Sequence, residues 1–330
     1  MTATYQILND ENKIVSFQPK DTFLNDIYEG LSKLPKSIPS QYFYDKKGSD
    51  IFTKITKLEE YYLPKASLEI LDTHKDEIAK LMKDEPFRLI ELGAGDGKRT
   101  KILLECFFQK KSNFTYVPID ISEAAMSGLI KLVENNFPLL NTKGLVTEYF
   151  EGIRWLEKEN YRKNFVLFMG SNIGNFNKAE EIKFLTSLKE SLNKDDFVLI
   201  GFDLKKDIAL INNAYNDSKG ITKEFNLNLL RRINDELGGD FNLNDFDFYA
   251  SYNPLIGSVE SYLISLKDQN IYIKELDKTF NFKKWEPIFT EHSFKYSEED
   301  IKLLAYKTGY KIEKQFYDSK HFFTQSIWKV

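Results

Sequence analysis

Short apolar runs closed by polar or turn residues alternate with stretches of helical spacing from position 88 onward. They predict strands at 88–92, 114–119, 144–149, 165–169 and 197–202. Among them, apolar residues at three- and four-residue intervals predict helices at 98–109, 122–135, 178–192 and 205–216. Strands alternating with helices over this length specify a parallel sheet covered on both faces, a doubly wound α/β core. The last segment predicts a helix at 298–308, then "YKIEKQFYD" and "HFFTQSIWKV", alternating runs joined by a short turn. An antiparallel hairpin completing the parallel sheet fits that pattern.

The flanks break this rhythm. Up to position 60 the chain is turn-rich around "LPKSIPSQYFYDKKGSD", and from 217 to 287 it is aromatic, Asn-rich and less periodic. Together they predict a second lobe packed over the carboxyl edge of the sheet.

At 330 residues and 42% hydrophobic content, the chain suffices for one elaborated domain or two interlocked ones. A formal net charge of -4, with Lys and Arg scattered among Asp and Glu, offers no basic face for a phosphate backbone. That balance disfavours nucleic acid and favours a small-molecule partner. No apolar run approaches the ~18 residues that cross a bilayer, and "MTATYQILNDENK" lacks the basic and apolar regions of a signal peptide. The expected location is the cytoplasm, away from membranes. The sole cysteine, Cys106, falls in a predicted helix and reads as packing. No His, Asp or Glu cluster has metal-ligand spacing, so no metal is expected.

The candidate chemistry begins at "LIELGAGDGKRTKIL", glycines placed directly after a strand and before a helix. Such glycines let the backbone turn sharply and approach a ligand at a helix N-terminus. A phosphate-binding loop fails here: the position five before Gly97 is Leu92, and Arg99 stands where Ser or Thr should follow the lysine. A dinucleotide fingerprint fails at its third glycine, which is Lys98. The acidic-x-G-x-G loop of S-adenosylmethionine (SAM) methyltransferases fits through Glu91, Gly93, Ala94 and Gly95, with Glu91 anchoring the loop or the cofactor's amino group. Asp120 ends the next strand, where a carboxylate accepts from both ribose hydroxyls. After the third strand, Glu148 is placed to accept from an adenine amine and Tyr149 to stack on the ring.

Read together, "YFYDKKGSDIFTKITKLEEYY", "ELGAGDGKRT", "FMGSNIGNF" and "FTEHSFKY" closely resemble the histidine-specific methyltransferases of ergothioneine biosynthesis, over roughly residues 24–330. The resemblance implies a class I, Rossmann-like SAM-binding domain at 61–204 and 288–330, and an amino-acid-binding lobe at 1–60 and 205–287. It implies trimethylation of the α-amino group of L-histidine to hercynine, by a monomer. Its cofactor residues fall on Gly93, Arg99, Asp120, Glu148, Tyr149 and, in "FMGSNIGNF", Gly170. Arg99 stands where the family often has lysine. Its substrate residues fall on Tyr61, Asn175 and Tyr215 for the amino acid's carboxylate and amine, with Tyr44 near the methylated nitrogen. Glu291 and Ser293 are implied to read the imidazole; an alternating strand puts both on one face and turns His292 away. One departure bears on specificity: Ser261 replaces an apolar methionine beside the imidazole. Methylation of another amino acid or of a histidine ring nitrogen, or a non-catalytic SAM-binding module, are the alternatives. Trp155, Trp285 and Trp328 read as core, His74 and His321 as surface residues, and the charges of "LLRRINDEL" as a solvated helix face.

Overall fold

The computed structural model describes residues 4–8, 19–82, 85–158 and 163–330. In chain order come β1 (Thr4–Ile7), α1 (Pro19–Ser32), β2 (Lys36–Ser37), α2 (Lys46–Ile55) and α3 (Leu63–Lys80). The alternating region follows as β3 (Phe87–Leu92), α4 (Lys98–Gln109), β4 (Phe114–Asp120), α5 (Glu123–Asn136), β5 (Lys143–Val146) and α6 (Tyr149–Lys158). It continues through β6 (Asn164–Phe168), α7 (Lys178–Glu190), β7 (Phe197–Asp203), α8 (Ile208–Tyr215) and α9 (Ile221–Leu237). Then come β8 (Phe246–Asn253), β9 (Ser258–Ser265), β10 (Gln269–Ile273), β11 (Lys278–Phe282) and β12 (Pro287–Phe294). The chain closes with α10 (Glu298–Lys307), β13 (Lys311–Tyr317) and β14 (Phe323–Lys329).

Contacts divide the chain into two compact units: Met1–Asn9, Leu63–Lys205 and Phe294–Val330 in the first, Asp10–Tyr62 and Lys206–Ser293 in the second. The second crossover falls between Ser293 and Phe294, later than the expected break at 287/288, so Glu291 and Ser293 belong to the second unit. The N-terminal β1 belongs to the first.

The first unit is built on one sheet, ordered β1-β5-β4-β3-β6-β7-β14-β13. Strands β1 to β7 within it run parallel, and β14 inserts antiparallel between β7 and β13. Strands β3, β6 and β7 are buried throughout, which is why they read as unbroken apolar runs. Local chemistry fixes the helix starts. Ser122 caps α5 by accepting from Ala125, and reciprocal capping boxes open α7 (Asn177, Glu180) and α10 (Ser297, Asp300).

Several expectations need correction. The strand expected at 144–149 ends at Val146, and Tyr149 opens α6, because Tyr149, Phe150 and Ile153 turn into the core at helical spacing. The helix expected from 205 starts at Ile208, where the Asp207 side chain accepts from the Leu210 amide. β1 escaped notice because all four of its residues are exposed, so it carries no alternation. Trp328 is core, whereas Trp285 is 63% exposed. His74 is half-buried and stacks on Phe316 at 4.6 Å. Arg232 lies over the Phe23 ring at 4.9 Å and donates to the Tyr42 carbonyl, so that face of α9 is only partly solvated. Cys106 is buried, as read.

In the second unit the sheet order is β2-β12-β9-β8, with β10 and β11 forming a separate antiparallel pair. Its core gathers Phe23, Ile27, Leu31, Phe43, Phe225, Leu229, Ile233, Leu263 and Ile288 from α1, the turn Ser40–Phe43, α9 and the sheet.

Candidate cofactor and amino-acid sites

In the first unit, β3 exits into glycines that take left-handed backbone: Gly93 at φ 75°, Gly95 at φ 55° and Gly97 at φ 69°. The Gly93 amide donates to the Ile119 carbonyl at 2.8 Å. A Cβ on Gly93 would lie 2.6 Å from Asn172 Nδ2 and 2.8 Å from the Tyr149 hydroxyl, whereas one on Gly95 meets nothing within 4 Å. Gly93 is thus the packed side of the loop and Gly95 its open side. Asp120, ending β4, takes the Gly95 amide on Oδ2 and the Ser122 amide on Oδ1, each at 2.8 Å. A carboxylate has about four acceptor positions, so roughly two remain for other donors. Burial raises the Asp120 carboxyl above its usual range, against the pull of those amides.

Glu91, 3% exposed, receives hydrogen bonds from the hydroxyls of Thr100 in α4 and Tyr116 in β4. Both of its oxygens therefore serve to anchor the loop. Burial pushes its carboxyl up to about 7, against the pull of those hydroxyls and of the Arg99 charge. Arg99 seats its guanidinium on Gly170, where a Cβ would collide with it; Gly170 takes φ 81°. Tyr149 packs against Phe168 and Phe184, its hydroxyl beneath Gly93, and burial raises that hydroxyl. Glu148 is exposed, and its carbonyl accepts the Gly152 amide at the start of α6. Asn175, half-buried, closes the single turn Asn172–Asn175 that begins two residues after Gly170. Glu91, Gly93, Gly95, Arg99, Asp120, Tyr149 and Gly170 thus meet around one loop. Sequence reasoning missed Thr100, Tyr116 and Asn172, since a buried hydroxyl or amide partner has no spacing rule.

The Glu91 environment has a measurable consequence. A carboxyl whose pKa rises on folding contributes stability that is fully present below its unfolded value, about 4.3, and is lost as pH rises through about 7. The effect is on the order of 3 kcal/mol. Thermal unfolding followed between pH 5 and pH 8 should show Glu91→Gln flattening the decline seen in the parent; equal slopes would refute this.

In the second unit, Tyr44 follows the turn Ser40–Phe43 and sets its ring edge-on to Phe52 at 5.5 Å and Phe225 at 5.6 Å. Tyr61 meets Phe52 at 6.5 Å and Tyr215 at 6.2 Å, again edge-on. Tyr215, the last residue of α8, is buried and shares a 2.6 Å hydroxyl hydrogen bond with Ser293. The Ser293 amide donates to Ser258 Oγ, which fixes it from behind. Glu291 is half-buried. His292 packs against Phe289 at 4.5 Å, a contact between residues three apart that strict alternation puts on opposite faces. The expected alternation is not clean in β12: Glu291 and His292 are both half-buried, Ser293 and Phe294 are both buried, and His292 Nδ1 lies 3.4 Å from Ser258 Oγ, the oxygen that accepts the Ser293 amide. Ser261 is 3% exposed in β9, and its carbonyl accepts from Thr290. Tyr44, Tyr61, Tyr215 and Ser293 therefore form one connected aromatic and hydroxyl cluster, with Asn175 in the other unit. Among the described residues no group of His, Cys, Asp and Glu could hold a metal ion.

The family described as histidine-specific, SAM-dependent methyltransferases matches residues 23–330. The chain belongs to this family. It is a SAM-dependent methyltransferase with the class I fold, β14 being the inserted antiparallel strand. It is 33% identical to the histidine N-alpha-methyltransferase of Mycobacterium tuberculosis, over 84% of this chain and 85% of that protein. It is 32% identical to ergothioneine biosynthesis protein 1 of Schizosaccharomyces pombe, over 84% of this chain but 37% of that longer protein. It is also 29% identical to the L-tryptophan methyltransferase of Psilocybe serbica, over 86% of each chain. Proteins similar to this chain thus carry the names of different amino acids.

Proposed function

We propose that this methyltransferase acts on the α-amino group of L-histidine, adding up to three methyls to give trimethylhistidine, the first step toward ergothioneine. The observation that carries the reading is the Tyr215–Ser293 hydrogen bond on the strand that bears Glu291. A paired serine hydroxyl keeps capacity for one ring nitrogen, and a carboxylate accepts from the other. Neutral imidazole presents one donor and one acceptor nitrogen, which that pair complements. An indole offers only one N–H.

For the cofactor, the remaining acceptor positions of Asp120 suit ribose hydroxyls, and the open side at Gly95 gives the backbone close approach. Arg99, Gly170, Glu148 and Tyr149 complete the set that would hold it. The bound cofactor supplies an electrophilic methyl group. The chain's own residues must then present a neutral amine. The α-amine of a free amino acid titrates above the roughly 8 of a peptide N-terminus and is mostly protonated at neutral pH, so it must lose a proton first. Asn175 orients the nitrogen, and Tyr44 and Tyr61 pass its proton to water. Holding the nitrogen in line near ~3 Å supplies much of the acceleration. Tyrosine faces also tolerate the quaternary cation that accumulates. We further propose a monomer acting in the cytoplasm; among the described residues, no helix is long and apolar enough to cross a membrane.

The decisive experiment incubates the protein with SAM and the twenty amino acids and reads product masses. Histidine gaining three methyls on its α-nitrogen supports the proposal; a different methylated amino acid overturns it. Ser261 would be the first residue to change in that case, because its side chain is smaller than the methionine that the resemblance implies beside the imidazole. Asn175→Ala and Tyr215→Phe are each expected to lower kcat/KM for histidine about 10- to 100-fold, while S-adenosylhomocysteine affinity, read by calorimetry, stays within about threefold.

A further inference from the structure

The turn that carries Asn175 rests on the segment just past β12. A Cβ on Gly174 would lie 2.9 Å from the Phe294 carbonyl oxygen, so the turn packs backbone to backbone against Phe294. Tyr296, 1% exposed, donates its hydroxyl to Glu181 Oε1 at 2.6 Å and lies 3.4 Å from the Ile173 carbonyl within the turn. Glu181 sits on α7, itself 1% exposed, and receives Lys178 Nζ at 3.1 Å. That ammonium lies 4.5 Å from the centroids of both the Phe294 and Tyr296 rings. Turn, helix start and strand exit are thereby tied through one phenol.

We propose that Tyr296 is a positioning residue for methyl transfer, its hydroxyl holding the Ile173–Asn175 turn against the Phe294 backbone so that Asn175 is presented to the amine. The role rests on the reading of Asn175 as an amine contact. Tyr296 touches neither substrate nor cofactor; it acts through the turn and through α7. The buried Glu181 carboxylate makes the phenol hard to replace. Without the Tyr296 hydroxyl it keeps, among the described residues, the Lys178 ammonium, whose side chain is 55% exposed. The turn then loses its contact with the carbonyl of Ile173 as well. A displacement of about 1 Å at a group that aligns a nucleophile lowers rate by about 100-fold.

The test is steady-state methylation of histidine by the parent, Tyr296→Phe, Gly174→Ala and Glu181→Gln, with S-adenosylhomocysteine binding measured by calorimetry on each. Tyr296→Phe and Gly174→Ala should each lower kcat/KM for histidine roughly 10- to 100-fold, with S-adenosylhomocysteine affinity within about threefold of the parent. Glu181→Gln, which keeps a carbonyl acceptor for the phenol, should retain most activity. Tyr296→Phe that melts earlier yet turns over histidine like the parent overturns the proposal, as does parallel loss of S-adenosylhomocysteine affinity. If Tyr296→Phe does not fold, Gly174→Ala decides, because it disturbs the same seat from the turn's side. A parent that methylates another amino acid and not histidine refutes the substrate reading instead, and the same four proteins assayed on that amino acid then decide the role of Tyr296.

Discussion

Replacing Asp120 with alanine is expected to weaken S-adenosylhomocysteine binding by roughly 100- to 10,000-fold. Two losses add. Hydrogen bonds to a charged acceptor contribute about 1.5–3 kcal/mol each, and the ribose would lose a pair of them. The Gly95 and Ser122 amides, both now held at 2.8 Å, also lose their acceptor, so the glycine loop and the start of α5 are released together. Asp120→Asn should fall between parent and alanine variant, since an amide keeps one acceptor oxygen but no charge. Calorimetric titration decides the matter. An alanine variant that keeps its fold by circular dichroism and binds within about threefold of the parent would remove Asp120 from the cofactor site.

The second large effect concerns stability. Lys295 and Asp203 form an ion pair at 2.9 Å with both side chains fully buried. They sit where the first unit's chain departs after β7 and resumes after β12. There the Tyr296 amide donates to the Asp203 carbonyl and the Lys205 amide to the Tyr296 carbonyl, each at 2.9 Å. Truncating one partner of such a pair takes the opposite charge away from a fully buried ion and costs about 3–5 kcal/mol. Lys295→Ala should therefore lower the melting temperature by roughly 10 °C, using about 2–4 °C per kcal/mol for a unit of this size. The double variant Lys295→Met with Asp203→Leu, which removes both charges and fills the volume, should recover most of the loss. A single variant that melts within about 2 °C of the parent would mean that water reaches the pair.

Part of this protein was legible from residue order alone. The helix at Lys98–Gln109 coincides with its expected bounds; β3, β4 and β7 differ from theirs by one residue at one end, and β6 by one residue at each end. Each is a long periodic or unbroken apolar segment with a glycine, cap or polar residue at its limits, and such local signals need no partner to be read. The left-handed glycines after β3 and the Asp120 carboxylate at the end of β4 were legible for the same reason, since φ and strand-end placement are properties of the segment itself. What failed depended on partners. β1 is wholly exposed and exists through its pairing with β5. Tyr149 continued an apolar run in sequence but became the first residue of a helix once Phe168 and Phe184 offered it a core.

The sequence by itself determined the family, the doubly wound core, the glycine loop and the residue types proposed for both sites. Only the tertiary structure decided which of those residues are held by others. Glu91 is an anchor because Thr100 and Tyr116, distant in sequence, converge on it; Ser293 is fixed because Tyr215 and Ser258 reach it. His292 meets Phe289, three residues away, a contact that strict alternation does not supply. Backbone preference and apolar periodicity act over a few residues and are written locally. Hydrogen-bond satisfaction of buried groups is settled between segments far apart in the chain, and so emerges only when the chain is folded.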